Sequence, residues 1–430
     1  MGRDHAGTPA VQRLAIVGSG IAGLAAAWLL ARRYDVRLFE REPRFGGHTH
    51  THDLETADGR LALDTGFLVH NDRAYPNLIR LFDELGVARS DTEMSFGVTC
   101  RRTGFEYSTR GVNGLFADRR NLVRPGHYRL LRDIIRFNRA ARQLAGDERA
   151  RARELTLEEF LDRHQLSGEV VDRFLVPLAA AIWSASPRDI LSFPAITLVQ
   201  FLARIGVGRA LARPTWKIVR GGSATYVSRL LAPPRITART SAPVRRVTRG
   251  TDGAGVVLTL DDGEVHADAV VFACHGDEVL PILADASPLE RDVLGAFETS
   301  TNEAWLHTDS RWLPRRPAAR AAWNYTLGVP GHGGATVTYH LNRLQRLDAR
   351  GDYCVTLNPP GGIEPFHVLR RMVYTHPLYT RAAIGAQARW DEISGRDRVH
   401  FCGAHWFDGC HEDGLRSAVR VAAALGVPWC

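Results

Sequence analysis

The stretch RLAIVGSGIAGLAAAWLLARRYDVRLFERE, Arg13 to Glu42, constrains this chain more than any other. The apolar run Leu14 to Val17 predicts a short buried strand, and Gly18-x-Gly20-x-x-Gly23 opens a helix rich in Ala and Leu. Val36 to Phe39 predict a second strand that ends at Glu40. Each part has a physical task. Gly18 permits the tight turn, Gly20 lets the backbone approach a pyrophosphate, and Gly23 lets helix and strand pack closely. The free N–H groups of the helix start, around Ser19 and Ala22, then face the phosphates. Glu40 lies about 20 residues beyond the glycines, where a carboxylate accepts bonds from a ribose diol. A lone G-x-G-x-x-G is a weak signal; strand, glycines, helix, strand and terminal acid together predict a dinucleotide site.

At 430 residues with 45% apolar content, the chain can build two domains with substantial cores. The net charge of +8 is carried almost wholly by arginine, since Lys217 is the only lysine. That balance favours an anionic partner, either a phosphate-bearing cofactor or an acidic membrane surface. No nucleic-acid partner is expected. The six cysteines are scattered and form no C-x-x-C pair, which suits reduced thiols and a cytoplasmic location. The start MGRDHAGTPAVQR lacks the apolar core of a signal peptide, and Ala6 stands where a myristoylation signal wants Ser or Thr. No apolar run approaches the roughly 20 residues that span a bilayer.

After the ribose acid, EREPRFGGHTH brings Gly46 and Gly47, and LDTGFLVHN (Leu63 to Asn71) follows. These stretches resemble the FAD-binding amine oxidase and phytoene desaturase superfamily, where E-x(5)-G-G-[R/H] is a second pyrophosphate-side signature. The resemblance implies FAD as cofactor. It also implies an α/β fold: a Rossmann-like, glutathione-reductase-type FAD-binding domain of the amine oxidase kind, with an inserted α+β substrate domain. By the same resemblance Arg41 joins the cofactor-binding set, Thr65, Gly66 and Phe67 run along the flavin, and the backbone of Val244 lies near the adenine. Gly403, Glu412, Asp413, Gly414 and Leu415 complete that set. His48 stands where many members carry arginine.

Two later stretches return to the cofactor domain. WKIVRGGSATYVSRLL has paired glycines opening a helix, followed by alternating strands, and RVHFCGAHWFDGCHEDGLRSAVRVAAAL reads as strand, loop and terminal helix. The expected FAD-binding domain is therefore discontinuous, over 11–74, 215–279 and 396–430. The substrate domain takes 75–214, mostly helical by period, and 280–395, with strand-like runs, as a helical lid over a sheet. Thr156 and Glu159 fit a capping box. The stretches AAAIWSASPRDILSFPA, PTWKIVRGGSATYV, AAWNYTL, VTYHLNRLQ and HEDGLRSA narrow the resemblance further. They are similar to bacterial NAD/FAD-binding, amine-oxidase-like flavoproteins found beside cyclopropane-fatty-acid-synthase-like methyltransferases. This implies acyl-chain chemistry, a lipid or other apolar substrate, and such a methyltransferase as partner. The loop Phe407 to Cys410 departs from the Gly-Tyr-Gly-Phe-like loop of those proteins.

The expected reaction is oxidation or reduction at a lipid carbon–carbon bond. A redox-neutral double-bond isomerase, a literal amine oxidase and a flavoprotein subunit of a lipid methyltransferase remain as alternatives. His411 falls where amine oxidases place an aromatic residue beside the flavin, so it is either a proton carrier or a residue that orients its loop. Gly414 is expected to admit the ring, Glu412 and Asp413 to cap the last helix, and that helix start to stabilise negative charge on the reduced flavin. Trp323, Asn324, Tyr325 and Tyr339 are expected on substrate-domain strands, the last three as substrate-orienting groups. His48, His50 and His52 share a face if extended, yet no carboxylate pattern supports a metal there, and none is expected. Cys410 raises a flavin thioether only against the family's usual attachment point. The helix HYRLLRDIIRFNRAARQLA sets Leu130, Leu131, Ile134 and Ile135 among five arginines, which fits peripheral contact with an anionic membrane or a solvated lid.

Overall fold

A computed structural model describes residues 12–146, 155–183, 187–204, 214–250, 255–329 and 336–429. Its first sheet is fully parallel, in the order Ile236–Arg239, Asp35–Phe39, Arg13–Val17, Ala269–Phe272, Val399–Phe401. Its strands thus come from three separated stretches of chain. The central strand reads as a continuous apolar run because parallel sheets are covered on both faces: Leu14, Ala15, Ile16 and Val17 are all buried. The helix Ile21–Leu30 that follows is buried at every position except Trp28. It is flanked by the strand and by the terminal helix His411–Ala424, and its alanines keep it thin enough to fit.

Glycine decides two of these contacts. A Cβ on Gly23 would lie 1.9 Å from the carbonyl oxygen of Gly18, so helix and strand close only without a side chain there. A Cβ on Gly414 would lie 2.7 Å from Cγ2 of Ile21, which makes this glycine a helix-on-helix contact.

A second, seven-stranded sheet runs Val368–Pro377, Thr299–His307, Cys354–Leu357, Thr336–His340, Trp323–Leu327, Phe96–Cys100, Phe105–Ser108. All its pairings are antiparallel except that of Trp323–Leu327 with Phe96–Cys100. The stretch 75–214, expected to be mostly helical, therefore supplies two strands of this sheet, and a third, Arg89–Asp91, pairs with Trp216–Val219. FGVTC and FEYS are short and joined by a tight turn, so helical periodicity on either side outweighs them in the sequence. The Thr156 box forms: its backbone N–H donates to Glu159 at 2.8 Å, and Glu159 N–H donates back to its Oγ1 at 3.2 Å.

The arginine-rich helix spans Pro125–Gly146 and buries His127, Leu130, Asp133, Phe137, Ala140, Ala141 and Leu144. This splits the expected stripe. Leu130 faces the core while Ile135 is 69% exposed. No helix among the described residues is long and apolar enough to cross a membrane.

Burial also sets the acid response of the fold. It lowers His50, His405 and His411 to about 3, and His52, His70, His307, His376 and His400 to about 4. The unfolded chain therefore binds more protons than the folded one between about pH 4 and 6.5, so stability is full above 6.5 and falls below it. Asp64, raised to about 6 by burial, and Asp408 and Glu412, also raised by burial, act in the opposite sense, but they are three groups against eight. The melting temperature should drop steeply from pH 7 to pH 5; a scanning-fluorimetry profile flat over that range would refute this. Gly23→Ala should destabilise by about 1–3 kcal/mol in urea melts, as overpacking does. Gly20→Ala, whose Cβ meets nothing within 4 Å, should leave stability unchanged.

Candidate functional site

One cavity of about 1460 Å³ is lined by both halves of the fold. Gly18, Ser19, Gly20, Ala22, Glu40, Arg41, Gly47, His48, Thr65, Gly66, Phe67, Val244 and Gly403 of the expected cofactor set line it. The Glu40 carboxylate is oriented by its neighbours: it accepts from Ser19 N–H at 2.9 Å, Ser19 Oγ–H at 2.5 Å and Glu42 N–H at 3.0 Å. Arg41 pairs with Glu278 at 2.7 Å. Gly47 has φ +56°, and a Cβ there would lie 3.0 Å from Cα of Gly20, so the two glycine loops meet backbone to backbone. Phe67 N–H donates to His48 C=O at 2.7 Å, which lays the Thr65-Gly66-Phe67 segment against the histidine segment.

These residues fit a dinucleotide. The first helix starts at Gly20 with no side-chain cap and no acidic residue in its first turn, so its leading N–H groups are open to an anion. Arg44, which no ion pair engages among the described residues, lines the same wall. A cavity of this size exceeds the usual small-ligand pocket of about 300–1,000 Å³, leaving room for a cofactor and a substrate together.

The last helix contributes differently from expectation. Gly409, Cys410 and His411 line the cavity, but Glu412, Asp413, Gly414 and Leu415 do not. Glu412 caps another helix, accepting from Asn77 N–H and Leu78 N–H at 3.0 Å each and from Asn77 Nδ2 at 2.7 Å. Asp413 does cap its own helix, through Cys410 N–H at 2.9 Å, and also holds the Arg204 guanidinium at 2.9 and 3.3 Å. Gly414 packs on Ile21 instead of admitting a ring, and Leu415 is in the core. Gly23, in the first helix, and Gly46, in the turn before Gly47, likewise lie off the cavity. Cys410 is held as the thiol, its pKa pushed up to about 12 by burial and by Asp413.

His411 sits in a defined cage. Its ring stacks on Phe67 with centroids 3.8 Å apart and planes 8° apart. Its Nε2 is 2.6 Å from the Tyr226 hydroxyl and 3.1 Å from Thr49 Oγ1, and those two hydroxyls also bond each other. Burial, then the neighbouring His70, lowers its pKa to about 3, so the imidazole is neutral at physiological pH. Tyr226 is held protonated by burial. Thr49 and Tyr226 were not singled out from sequence, although GGHTH and GGSATYV carry them directly beside their paired glycines. Arg44 was missed in the same way.

Of the expected substrate-orienting groups, Tyr339 lines the cavity with Trp323, their rings edge to face at 5.2 Å. Asn324 does not. Its amide is consumed by Ala321 N–H at 2.9 Å, Ala321 C=O at 2.7 Å and Thr338 C=O at 3.3 Å, so it fixes the strand's local turn. Tyr325 is buried one step farther along the strand and also lies off the cavity. The three histidines separate too. His48 is in a turn and packs on Tyr374 and His376, both at 5.1 Å, while His50 and His52 pair with each other at 4.0 Å. No group of three or more potential metal ligands occurs among the described residues. Lys217 pairs with Asp91 at 2.7 Å.

The chain is similar to several known proteins. The chain is 30% identical over 375 residues to a carotenoid phi-ring synthase of Streptomyces griseus, across 78% of this chain and 66% of that protein. It thus spans just under two thirds of that relative's length. A putrescine oxidase redesigned in its cofactor binding superposes with TM-score 0.67 at 16% identity, covering 97% of this chain and 99% of that one. A CLA-producing fatty acid isomerase from P. acnes superposes with TM-score 0.67 at 16% identity, over 95% and 97%. The family model for flavin containing amine oxidoreductases matches residues 21–341. The chain belongs to this family of FAD-dependent enzymes, and FAD is its cofactor.

Proposed function

We propose that this protein is an FAD-dependent oxidoreductase acting on a carbon–carbon bond of a lipid or fatty-acyl chain. One observation carries the reading. Every Asp, Glu, Lys or Arg that lines the cavity comes from the cofactor-binding segments: Glu40, Arg41, Glu42, Arg44, Arg245 and Glu278. The inserted segments contribute Met94, Phe96, Ile134, Phe174, Leu178 and Phe201, with scattered hydroxyls, one amide and the imidazole of His376, which burial holds neutral. An ammonium substrate has no carboxylate to meet there, and burying an unpaired charge is costly. An acyl chain loses nothing on entering it and gains by leaving water. Two of the proteins it resembles support the reading, since their names concern a carotenoid ring and a fatty acid.

FAD, when bound, supplies hydride chemistry that needs few protein groups. The chain's own residues bind and orient. Glu40 and the open helix start hold the dinucleotide half. Phe67 and His411 form a flat aromatic pair on the cavity wall, and Trp323 and Tyr339 form another. His411 holds one proton on its ring at neutral pH, and the Tyr226 and Thr49 hydroxyls fix the orientation of that ring. The Arg204 clamp on Asp413, extended to Asp408 at 3.1 Å, sets the loop that presents Cys410 and His411.

The direct test mixes purified yellow protein anaerobically with unsaturated and saturated phospholipids and follows flavin absorbance with lipid mass spectrometry. Bleaching with loss of two hydrogens from an acyl chain is expected of a desaturase; for a saturase, flavin reduced beforehand with dithionite should regain its colour as an unsaturated chain gains two hydrogens. Bleaching by primary amines with aldehyde release would overturn the proposal. Moved double bonds with no net redox change would establish an isomerase instead, and inactivity until a lipid methyltransferase is added would indicate a supporting subunit. Phe174→Glu should retain flavin while abolishing acyl turnover. His411→Gln should also retain flavin; a turnover loss of roughly 10²–10⁴ marks proton transfer, whereas a loss below tenfold marks an orienting role. Because His411 stays neutral down to about pH 3, its protonation should place no break near 6.5 in the turnover profile.

A further inference from the structure

Seven large hydrophobic side chains stand exposed among the described residues, and five of them fall in one stretch of the chain. Val112 is 74% exposed, Leu122 50%, Val123 82%, Tyr128 49% and Ile135 69%. The same stretch is the charge centre of the molecule. From Arg110 to Arg142 there are nine arginines and two aspartates, a formal +7 in a chain whose total is +8. The two acids cannot neutralise it. Asp118 takes Arg120 and Arg124, Asp133 takes Arg132 and Arg136, while Arg129 and Arg110 use Glu169 and Glu93. Arg139 and Arg142 have no ion pair among the described residues.

Helical spacing arranges these groups. Along Pro125–Gly146 the core takes His127, Leu130, Phe137, Ala141 and Leu144. Tyr128, Ile135 and Arg142, seven residues apart, therefore run along the opposite side with Arg132 and Arg139 between them. Beside them Leu122, Val123, Pro125 and Tyr128, with Arg129 and Arg132, line a shallow cleft of about 470 Å³. Apolar tips ringed by guanidinium groups match the boundary of an anionic bilayer, where side chains enter hydrocarbon and arginines meet lipid phosphates. A nucleic acid offers phosphates but no apolar phase for Leu122, Val123 and Ile135.

We infer that the face formed by Leu122, Val123, Tyr128, Ile135 and the surrounding arginines docks this protein on an anionic phospholipid membrane. The same helix reaches the cavity, which Ile134 and Asn138 line, so docking brings the apolar part of the cavity next to the bilayer. That consequence for substrate capture rests on the acyl-chain reading; the docking itself does not, and it is measured without turnover.

The test is co-sedimentation of the flavin-loaded protein with phosphatidylglycerol vesicles and with phosphatidylcholine vesicles, at low and high salt. Wild type should pellet with phosphatidylglycerol at low salt and lose most binding to phosphatidylcholine or at high salt. The variants Val123→Glu with Tyr128→Glu, and Arg139→Glu with Arg142→Glu, should each weaken binding about tenfold or more with an unchanged flavin spectrum. Phe366→Glu, at an exposed apolar residue elsewhere, should bind as wild type. Absence of vesicle binding, or patch variants that bind as wild type, would overturn the inference. So would capture of an acidic protein by this face with no affinity for vesicles, which would assign the face to a protein partner.

Discussion

The thinness of the first helix sets the geometry of everything around the cavity. Ile21–Leu30 lies between the strand Arg13–Val17 and the terminal helix His411–Ala424, and at each contact a side chain is missing. Gly23 closes onto Gly18, Gly414 onto Ile21, and Gly47 onto Gly20. These three approaches bring residues 18–22, 47–48 and 409–411, from opposite ends of the chain, to one wall. A methyl group at Gly23 would push the helix away from the sheet, and in a close-packed interior that displacement passes to its neighbours. The glycines of the fingerprint therefore have two jobs. Gly20 faces open space where a phosphate group can approach, while Gly23 is structural.

This division explains what the sequence could reveal. Residues tied to a fixed local geometry were legible: the glycines, Glu40, the strand ends and the Thr156 box. Each is required by its immediate chain neighbours. The polar run His411-Glu412-Asp413 was not, because a helix turns about 100° per residue and points the three side chains at different partners. Only His411 faces the cavity; Glu412 reaches Asn77 and Asp413 reaches Arg204, 335 and 209 positions away in sequence. Asn324 was misjudged for the same reason. An amide on a strand beside a pocket carries no local sign that Ala321 and Thr338 will consume it. Tyr226 and Thr49 were overlooked because a hydroxyl gains meaning only from the imidazole it meets across the fold.

The cavity separates charge from hydrocarbon, and the fold makes that separation natural. The parallel sheet and its glycine loops present backbone N–H groups, carboxylates and arginines to one part. The large sheet and the inserted helices present the side chains of a core to the other. A water-exposed cleft could not sustain the second part, since aromatic and aliphatic groups would collapse on one another. Here Trp323 and Tyr339, on neighbouring strands of the large sheet, and Phe67 and His411, in a loop and at a helix start, form two separate aromatic pairs.

His48 shows how this separation is kept at the boundary. The resemblance read from the sequence implies arginine at this position in many superfamily members, and a guanidinium there would set a permanent charge against Tyr374, His376 and His275. Burial and those two histidines instead hold His48 neutral, and its Nε2 has no hydrogen-bond partner within the protein. Positive charge on the cavity wall comes a few residues earlier, from Arg44, and from the uncapped start of the first helix. Replacing arginine with histidine thus removes charge from the wall nearest the apolar region without removing it from the phosphate side. That distribution is compatible with the apolar substrate proposed above.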